Sequence, residues 1–242
     1  KPGTPAIPQG LSGRMALLMN IVMLEKGTAV LEGLTGYTAV FSKQERIGGK
    51  LLKEQIMQLK LRHRPFSVYM KWTKLYKGQQ VLYVDGQNGG KMIVKLGGWK
   101  KRLPALKLDP TGKTAMKENR YPITKAGVLG MIREALKLRR ADIEHADQVR
   151  CRMTEDVEFA GRPCWGFVVE YADRKASPSY RKAEMLIDKE WSVPVMVRNF
   201  TWPEDDKKVD DESKLDEDTL LEYYTFRDFE FMREIAQGEF DR

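Results

Sequence analysis

The sequence predicts an α+β protein, a curved antiparallel sheet of about ten strands with two main helices covering its concave face. Three observations carry this expectation. From Tyr37 to Lys95 the chain is a meander of five short strand-like runs: Tyr37–Arg46, Lys50–His63, Pro65–Trp72, Gln79–Val84 and Lys91–Leu96. The punctuation between them (Ile47-Gly48-Gly49, Arg64-Pro65, Lys77-Gly78, Asp85 to Gly90) is turn chemistry, which joins antiparallel neighbours and leaves no room for helical crossovers. After a second helical segment the β pattern resumes in Gln148–Glu158, Cys164–Tyr171, Tyr180–Asp188, Val193–Trp202 and Thr219–Met232.

The first helix is expected over Ser12–Leu34. Ser12 is a plausible N-cap, and Met15, Leu18, Met19, Val22 and Met23 share a helical face. Gly33 and Gly36 end it. In the meander Met57, Leu59 and Leu61 alternate with Gln58, Lys60 and Arg62, and Phe66, Val68, Met70 and Trp72 alternate with Ser67, Tyr69 and Lys71, as in half-buried strands. The second helix is expected over Thr124–Arg140, capped by Thr124, with Val128, Met131, Ile132, Ala135 and Leu136 as its apolar face. No Pro/Ser-rich linker separates the halves, and each half alone is one helix and one open sheet. A single sheet curling around both helices is the economical arrangement. The expected organisation is a flexible lead-in over residues 1–11, one domain over 12–242, and an acidic loop at 204–218.

The chain has 242 residues, 42% hydrophobic and 31% charged, which suits a globular protein with a sizeable core. Its most apolar stretch, Met15–Leu24, is too short to span a bilayer. It begins at Lys1, and Lys1–Gly13 holds three prolines and three glycines. Such a lead-in fits either the residue of a signal peptide or lipid anchor, or a plain chain boundary. The formal charge is +8, unevenly spread: Glu204–Asp218 has nine acids against three lysines, so it carries −6 and the remainder +14. High charge without aromatics predicts a solvated hairpin loop there.

Cys151 and Cys164 fall on two runs that turn at Ala160-Gly161. That register sets Cys151 opposite Glu170 and Cys164 opposite Val157, about six residues or roughly 20 Å apart, beyond the reach of a disulfide. Two free, buried thiols are expected. The histidines, His63 and His145, have no metal-binding spacing, although His145 lies among Asp142, Glu144 and Asp147 at what reads as a solvated helix end. The pairs Gly48-Gly49, Gly89-Gly90 and Gly97-Gly98 sit between strands and match no nucleotide-binding fingerprint. Asp188 and Asp228 close strand-like runs, as turn-forming aspartates do. No catalytic residue, metal or cofactor is expected.

Lys95–Leu108 is basic: Lys95, Lys100, Lys101, Arg102 and Lys107 surround Gly97-Gly98-Trp99. It reads either as a solvated loop or as a contact with anionic headgroups in which Trp99, Lys100, Lys101 and Arg102 touch a membrane surface. A pI near 9.3 invites nucleic acid as a partner, but no recognition motif accompanies it and none is expected.

Several phrases, in order, resemble the LolA/LolB/RseB-like bacterial envelope proteins. Tyr37-Thr-Ala-Val-Phe41-Ser-Lys-Gln44-Glu45 looks like their first strand. Phe66-Ser-Val-Tyr-Met-Lys-Trp72 and Gly78-Gln-Gln-Val-Leu-Tyr-Val-Asp85-Gly86 look like the next ones. Ala183-Glu-Met-Leu-Ile-Asp188, Val193-Pro194-Val195 and Leu221-Glu-Tyr-Tyr-Thr-Phe-Arg-Asp228 are similar to their second half. The resemblance runs from about residue 12 to 235 and is nearest to an uncharacterised family within the group, a domain of unknown function. It implies a half-barrel around an apolar cavity and a periplasmic or otherwise extracytoplasmic protein, with a lipid anchor as an option that the lead-in allows. It also implies partners that are lipids or acylated proteins. The acidic 204–218 segment departs from the lipoprotein carriers.

The expected ligand site is the inward apolar set: Phe41, Met57, Leu59, Leu61, Phe66, Val68, Met70 and Trp72 from the sheet, facing Val128, Met131, Ile132 and Leu136 from the second helix. Twelve methionines suit an adaptable interior. The same residues would equally make a solid core. The functional expectation is non-enzymatic binding of a lipid or acyl chain. The alternative is an envelope scaffold or sensor with a protein partner, and a hydrolase is the least favoured.

Overall fold

The computed structural model describes residues 10–204, 211–234 and 240. Residues 1–9 of the expected lead-in and 205–210 of the acidic segment lie outside them. In chain order the elements are α1 (Gly13–Glu32), β1 (Gly36–Ile47), β2 (Lys50–Leu51), β3 (Gln55–Arg62), β4 (Ser67–Lys74), β5 (Gln80–Val84), β6 (Met92–Lys95) and β7 (Leu106–Leu108). Then come α2 (Lys113–Met116), α3 (Val128–Glu144), β8 (Val149–Phe159), β9 (Arg162–Tyr171), β10 (Lys182–Asp188), β11 (Pro194–Phe200), α4 (Glu212–Thr219) and β12 (Leu220–Met232).

The described strands form one antiparallel 12-stranded sheet in the order β7-β6-β5-β4-β3-β1-β12-β11-β10-β9-β8, with β2 paired to β1. The sheet curves as a half-barrel, and α1 and α3 cover its concave face. Its two extra strands have local causes. The expected run Lys50–His63 breaks at residues 52–54 into β2 and β3, and the basic stretch ends in the three-residue β7 at the sheet edge. The halves meet in the middle, where β1 pairs with both β3 and β12.

Helix α1 turns a different face to the core than its apolar residues predict. Ala16, Leu17, Asn20, Leu24, Gly27 and Leu31 are buried, whereas Met15 and Val22 are 57% exposed and Leu18 37%. Of the expected face only Met23 is buried, and Met19 is half-buried. The choice follows from backbone approach. A Cβ at Gly27 would lie 2.3 Å from the Ser192 carbonyl oxygen, so the helix comes this close only through its small residues.

Helix α3 also starts later than Thr124. Residues Ile123–Lys125 form a 3-10 turn, and α3 begins after Gly127, whose φ is +91° and whose added Cβ would lie 2.3 Å from Leu61 Cδ1. No side chain of the helix caps it. Instead the buried Tyr37 hydroxyl on β1 accepts the Val128 N–H at 2.8 Å. A long-range tyrosine therefore satisfies one of the orphan donors of the helix start. Burial pushes the phenol of Tyr37 well above its ordinary pKa, so it stays neutral.

The β8–β9 hairpin turns at Ala160-Gly161, both at positive φ, as expected. Cys164 faces Val157, but Cys151 faces Val169 rather than Glu170. A bulge between Thr154 and Val157 inserts one extra residue on β8 and shifts the pairing beyond it. Both thiols are free and buried, and burial pushes each up to about 11. Asp188 forms the expected turn, its Oδ1 accepting the Glu190 and Trp191 N–H groups at 3.0 and 2.9 Å. Asp228 does not close a strand; it lies inside β12 at φ +53°, where the β1–β12 register shifts.

The acidic segment is not wholly a loop. Asp211 caps α4 by accepting the Ser213 and Lys214 N–H groups, and Lys182 Nζ on β10 reaches Glu212 at 3.3 Å and Asp216 at 2.6 Å.

Two outcomes test this architecture. Tyr37→Phe leaves the buried Val128 N–H without an acceptor and should lower stability by about 1–2 kcal/mol in urea denaturation; unchanged stability would mean that packing alone holds α3. At pH 8 a thiol reagent should modify neither cysteine in the native protein and both in urea, because almost no thiolate forms below about 11.

Candidate ligand cavity

Between the concave face, α3 and the strap of residues 110–127 lies a cavity of about 700 Å³. That is within the size range of small-molecule sites, roughly 300–1,000 Å³. The strand ladder builds its walls. On the β1 side Phe41 faces Met57, Met57 faces Trp72, Met70 faces Val81 and Val81 faces Val94. On the other side Val197 faces Met185, which faces Phe167. All nine side chains line the cavity, because same-face residues of neighbouring strands form one continuous row. Met131, Ala135 and Leu138 of α3 close it from above, with Ile123 and Ala126 of the strap. Met57, Met70, Met92, Met131 and Met185 make the lining deformable.

The expected site residues divide three ways. Phe41, Met57, Met70, Trp72 and Met131 line this cavity. Leu61 and Phe66 line a second cavity, of about 760 Å³, under the first turns of α3. Leu59, Val68, Val128, Ile132 and Leu136 are packed into the solid core between helix and sheet and line neither. The two cavities share Lys125, Ala126, Gly130 and Glu134 in their walls. In the second, burial and then the Arg133 guanidinium hold the His63 imidazole below its ordinary pKa.

One end of the first cavity is polar, and the sequence reading missed it. The inward faces of β1 and β12 change character together: Phe41 opposes Phe226, Lys43 opposes Tyr224, and Glu45 opposes Glu222. Two nearly buried carboxylates thus face each other, at 5% and 2% exposure. Each has its own cation. Lys43 Nζ lies 3.0 Å from Glu45, and Arg120 Nε, from the strap, 2.7 Å from Glu222. The Tyr224 hydroxyl donates to Glu45 at 2.5 Å, and Asn199 Nδ2 to Glu222 at 2.7 Å. Burial and the two glutamates raise the Tyr224 phenol far above its ordinary value, so it acts as a donor throughout. Lys43 also binds the Glu118 carbonyl at 3.1 Å and the Asn119 side chain, which ties the strap to the sheet. The signal was present: Phe41-x-Lys43-x-Glu45 is mirrored by Glu222-x-Tyr224-x-Phe226, a match that appears only once the two strands are paired.

Exposed residues line the cavity at two places: Lys125 and Glu134 where it adjoins the second cavity, and Tyr76, Lys100, Leu106, Thr114 and Lys117 at its mouth. Beside it the 3-10 turn Gly98–Arg102 carries Trp99, Lys100, Lys101 and Arg102, with Trp99 81% exposed.

Arg120→Met should lower stability by roughly 3 kcal/mol in urea denaturation, since it strands the Glu222 carboxylate in the interior. Adding Glu222→Gln should recover part of the loss. If the single change is silent, the ion pair does not hold the strap.

Comparison with solved structures shows that the chain shares its fold with known proteins. It is similar to the Mycobacterium tuberculosis lipoprotein LppX, at 11% identity over 90% of this chain and 98% of that one, with a TM-score of 0.50. It is also similar to the Pseudomonas aeruginosa MucA/MucB complex structure (14% identity, 93% of this chain and 61% of that one, TM-score 0.49). A third is a LolA superfamily protein from Nitrosomonas europaea (9% identity, 91% and 96%, TM-score 0.35). No curated protein matches the chain. Residues 34–242 match the family described as Protein of unknown function (DUF1571), and the chain belongs to that family.

Proposed function

We propose that this DUF1571 protein holds an alkyl chain of a lipid, or the acyl chain of a lipoprotein, in the apolar cavity beneath α3, in the bacterial cell envelope and without chemical change to it. The observation that carries this reading is the cavity itself: about 700 Å³ walled largely by aromatic, aliphatic and thioether side chains and open to solvent. A void so lined loses dispersion contacts while empty, and each methylene taken up is worth about 0.8 kcal/mol. The LolA-like fold, shared with a protein that is itself a lipoprotein, supports an extracytoplasmic setting. Entry and release would proceed by displacement of α3 and the strap, which Tyr37, Lys43 and Arg120 tie down at separate points.

A scaffold that binds a protein partner through the acidic segment has less support. Asp216 and Glu212 engage Lys182 of the same chain, and Asp216 also binds Arg181, so part of that charge is used internally. A hydrolase reading finds two facing carboxylates, but each is held by a cation and a neutral donor.

Binding of a fluorescent long-chain acyl probe, with lipid extraction and mass spectrometry of the purified protein, tests the proposal. The parent should bind the probe, and Ala135→Trp, which fills the cavity from α3, should weaken binding at least about tenfold, a loss equal to about two methylenes. A parent that binds no probe and yields no lipid would sink the reading.

A further inference from the structure

The β6–β7 connection has a composition that the cavity does not explain. Residues 95–107 hold five cations and no acid. Among the described residues none of the five makes an ion pair; the one electrostatic partner is the Trp99 ring, 5.6 Å from Lys100 Nζ. Among the described residues other charged clusters are internally matched, as at Arg162 with Asp188 and Glu190, or Lys182 with Glu184 and Asp216. Trp99 is 81% exposed, Leu103 50% and Leu106 44%. An indole and two leucines standing in water would ordinarily be buried. Here the 3-10 turn Gly98–Arg102 carries the indole beside unpaired cations, and Leu103 and Leu106 follow it toward and into β7. Tryptophan flanked by lysine is the pairing that suits a membrane interface, where the ring sits at headgroup level and the ammonium groups meet anionic lipid.

Position adds the second argument. Lys100 and Leu106 belong to this connection and also line the cavity mouth. We infer that the β6–β7 ledge docks the protein on an anionic bilayer through Trp99, Lys100, Lys101, Arg102 and Leu103, so that the cavity mouth faces the lipid surface. The docking stands on the ledge alone. The orientation rests on the proposal that the cavity takes an alkyl chain. An acidic protein is the competing occupant; the exposed apolar side chains favour the bilayer, because an acidic surface would use the cations and leave the indole in water.

The experiment is co-sedimentation with vesicles of phosphatidylcholine alone and of equal parts phosphatidylglycerol and phosphatidylcholine, alongside capture on immobilised polyglutamate. The parent should sediment with the anionic vesicles only, and raised salt should release it. Lys101→Glu and Arg102→Glu together, neither of which lines the cavity, should weaken sedimentation by roughly thirtyfold, and Trp99→Ala by about tenfold. Both sets of changes are on the surface, so their melting temperatures should match the parent. Acyl-probe binding in vesicle-free solution, run on the same variants, keeps the two proposals apart. Lost sedimentation with retained probe binding supports the ledge. A parent that sediments but takes no probe leaves the docking standing and removes the orientation. Equal binding to neutral and anionic vesicles, ledge variants that sediment like the parent, or retention on polyglutamate without sedimentation would overturn the docking.

Discussion

The pairing of β1 with β12 is the constraint on which the rest of the structure depends. It joins a sheet built from residues before 110 to one built from residues after 148, and it does so in a register that sets Glu45 against Glu222. Like charges directly opposed in a sheet repel, and a nearly buried carboxylate without a partner is destabilising by several kcal/mol. The seam therefore needs two cations. Lys43 comes from the same strand face, two residues away. Arg120 comes from the strap, so the electrostatic need of the seam fixes where the connection between the two halves must run. Because the strap crosses the concave face at that end, the polar cluster also ends the cavity.

The cavity exists because the two helices approach the sheet differently. Helix α1 comes close along Ala16 and Gly27, and of its residues Asn20 alone reaches the cavity. Helix α3 is pinned near its first residue by Tyr37 and packs Val128, Ile132 and Leu136 into the core. Its other flank, Met131, Ala135 and Leu138, lines the cavity over the row from Trp72 to Phe226. One helix thus contributes to solid packing and to a void, and the division follows which flank its residues occupy.

This division also explains how much was legible in the sequence. Period-2 alternation located nearly every strand, and the inward residues it named are inward. What alternation cannot tell is whether an inward residue meets another side chain or empty space. Leu59 and Met57 are two apart on one strand with the same pattern, yet only Met57 lines the cavity. The face of α1 was misread because hydrophobicity favoured Met15 and Val22, whereas close backbone approach selected glycine and alanine. The register at Cys151 was missed by one residue because a bulge leaves no local signature in Thr154 to Val157. The polar end was invisible because its partners, residues 43–45, 120 and 222–224, come together only through the seam.

Charge shows the same dependence on pairing. The sequence reads as an acidic segment of −6 set against a body of +14, which invites a partner for either. In the structure Asp216 binds Arg181 and Lys182 and Glu212 reaches Lys182, so two of the acids of α4 are matched at the start of β10. Glu45 and Glu222 take Lys43 and Arg120 out of circulation in the interior. Pairing within the chain consumes both signs and leaves places where described cations have no ion-pair partner. The stretch from Lys95 to Lys107 is such a place, and it adjoins the opening of the apolar cavity. A net charge alone would attract any anion at long range; an unpaired cluster around an exposed indole, at the mouth of an apolar cavity, is why the docking proposed above takes a surface that is anionic outside and apolar beneath.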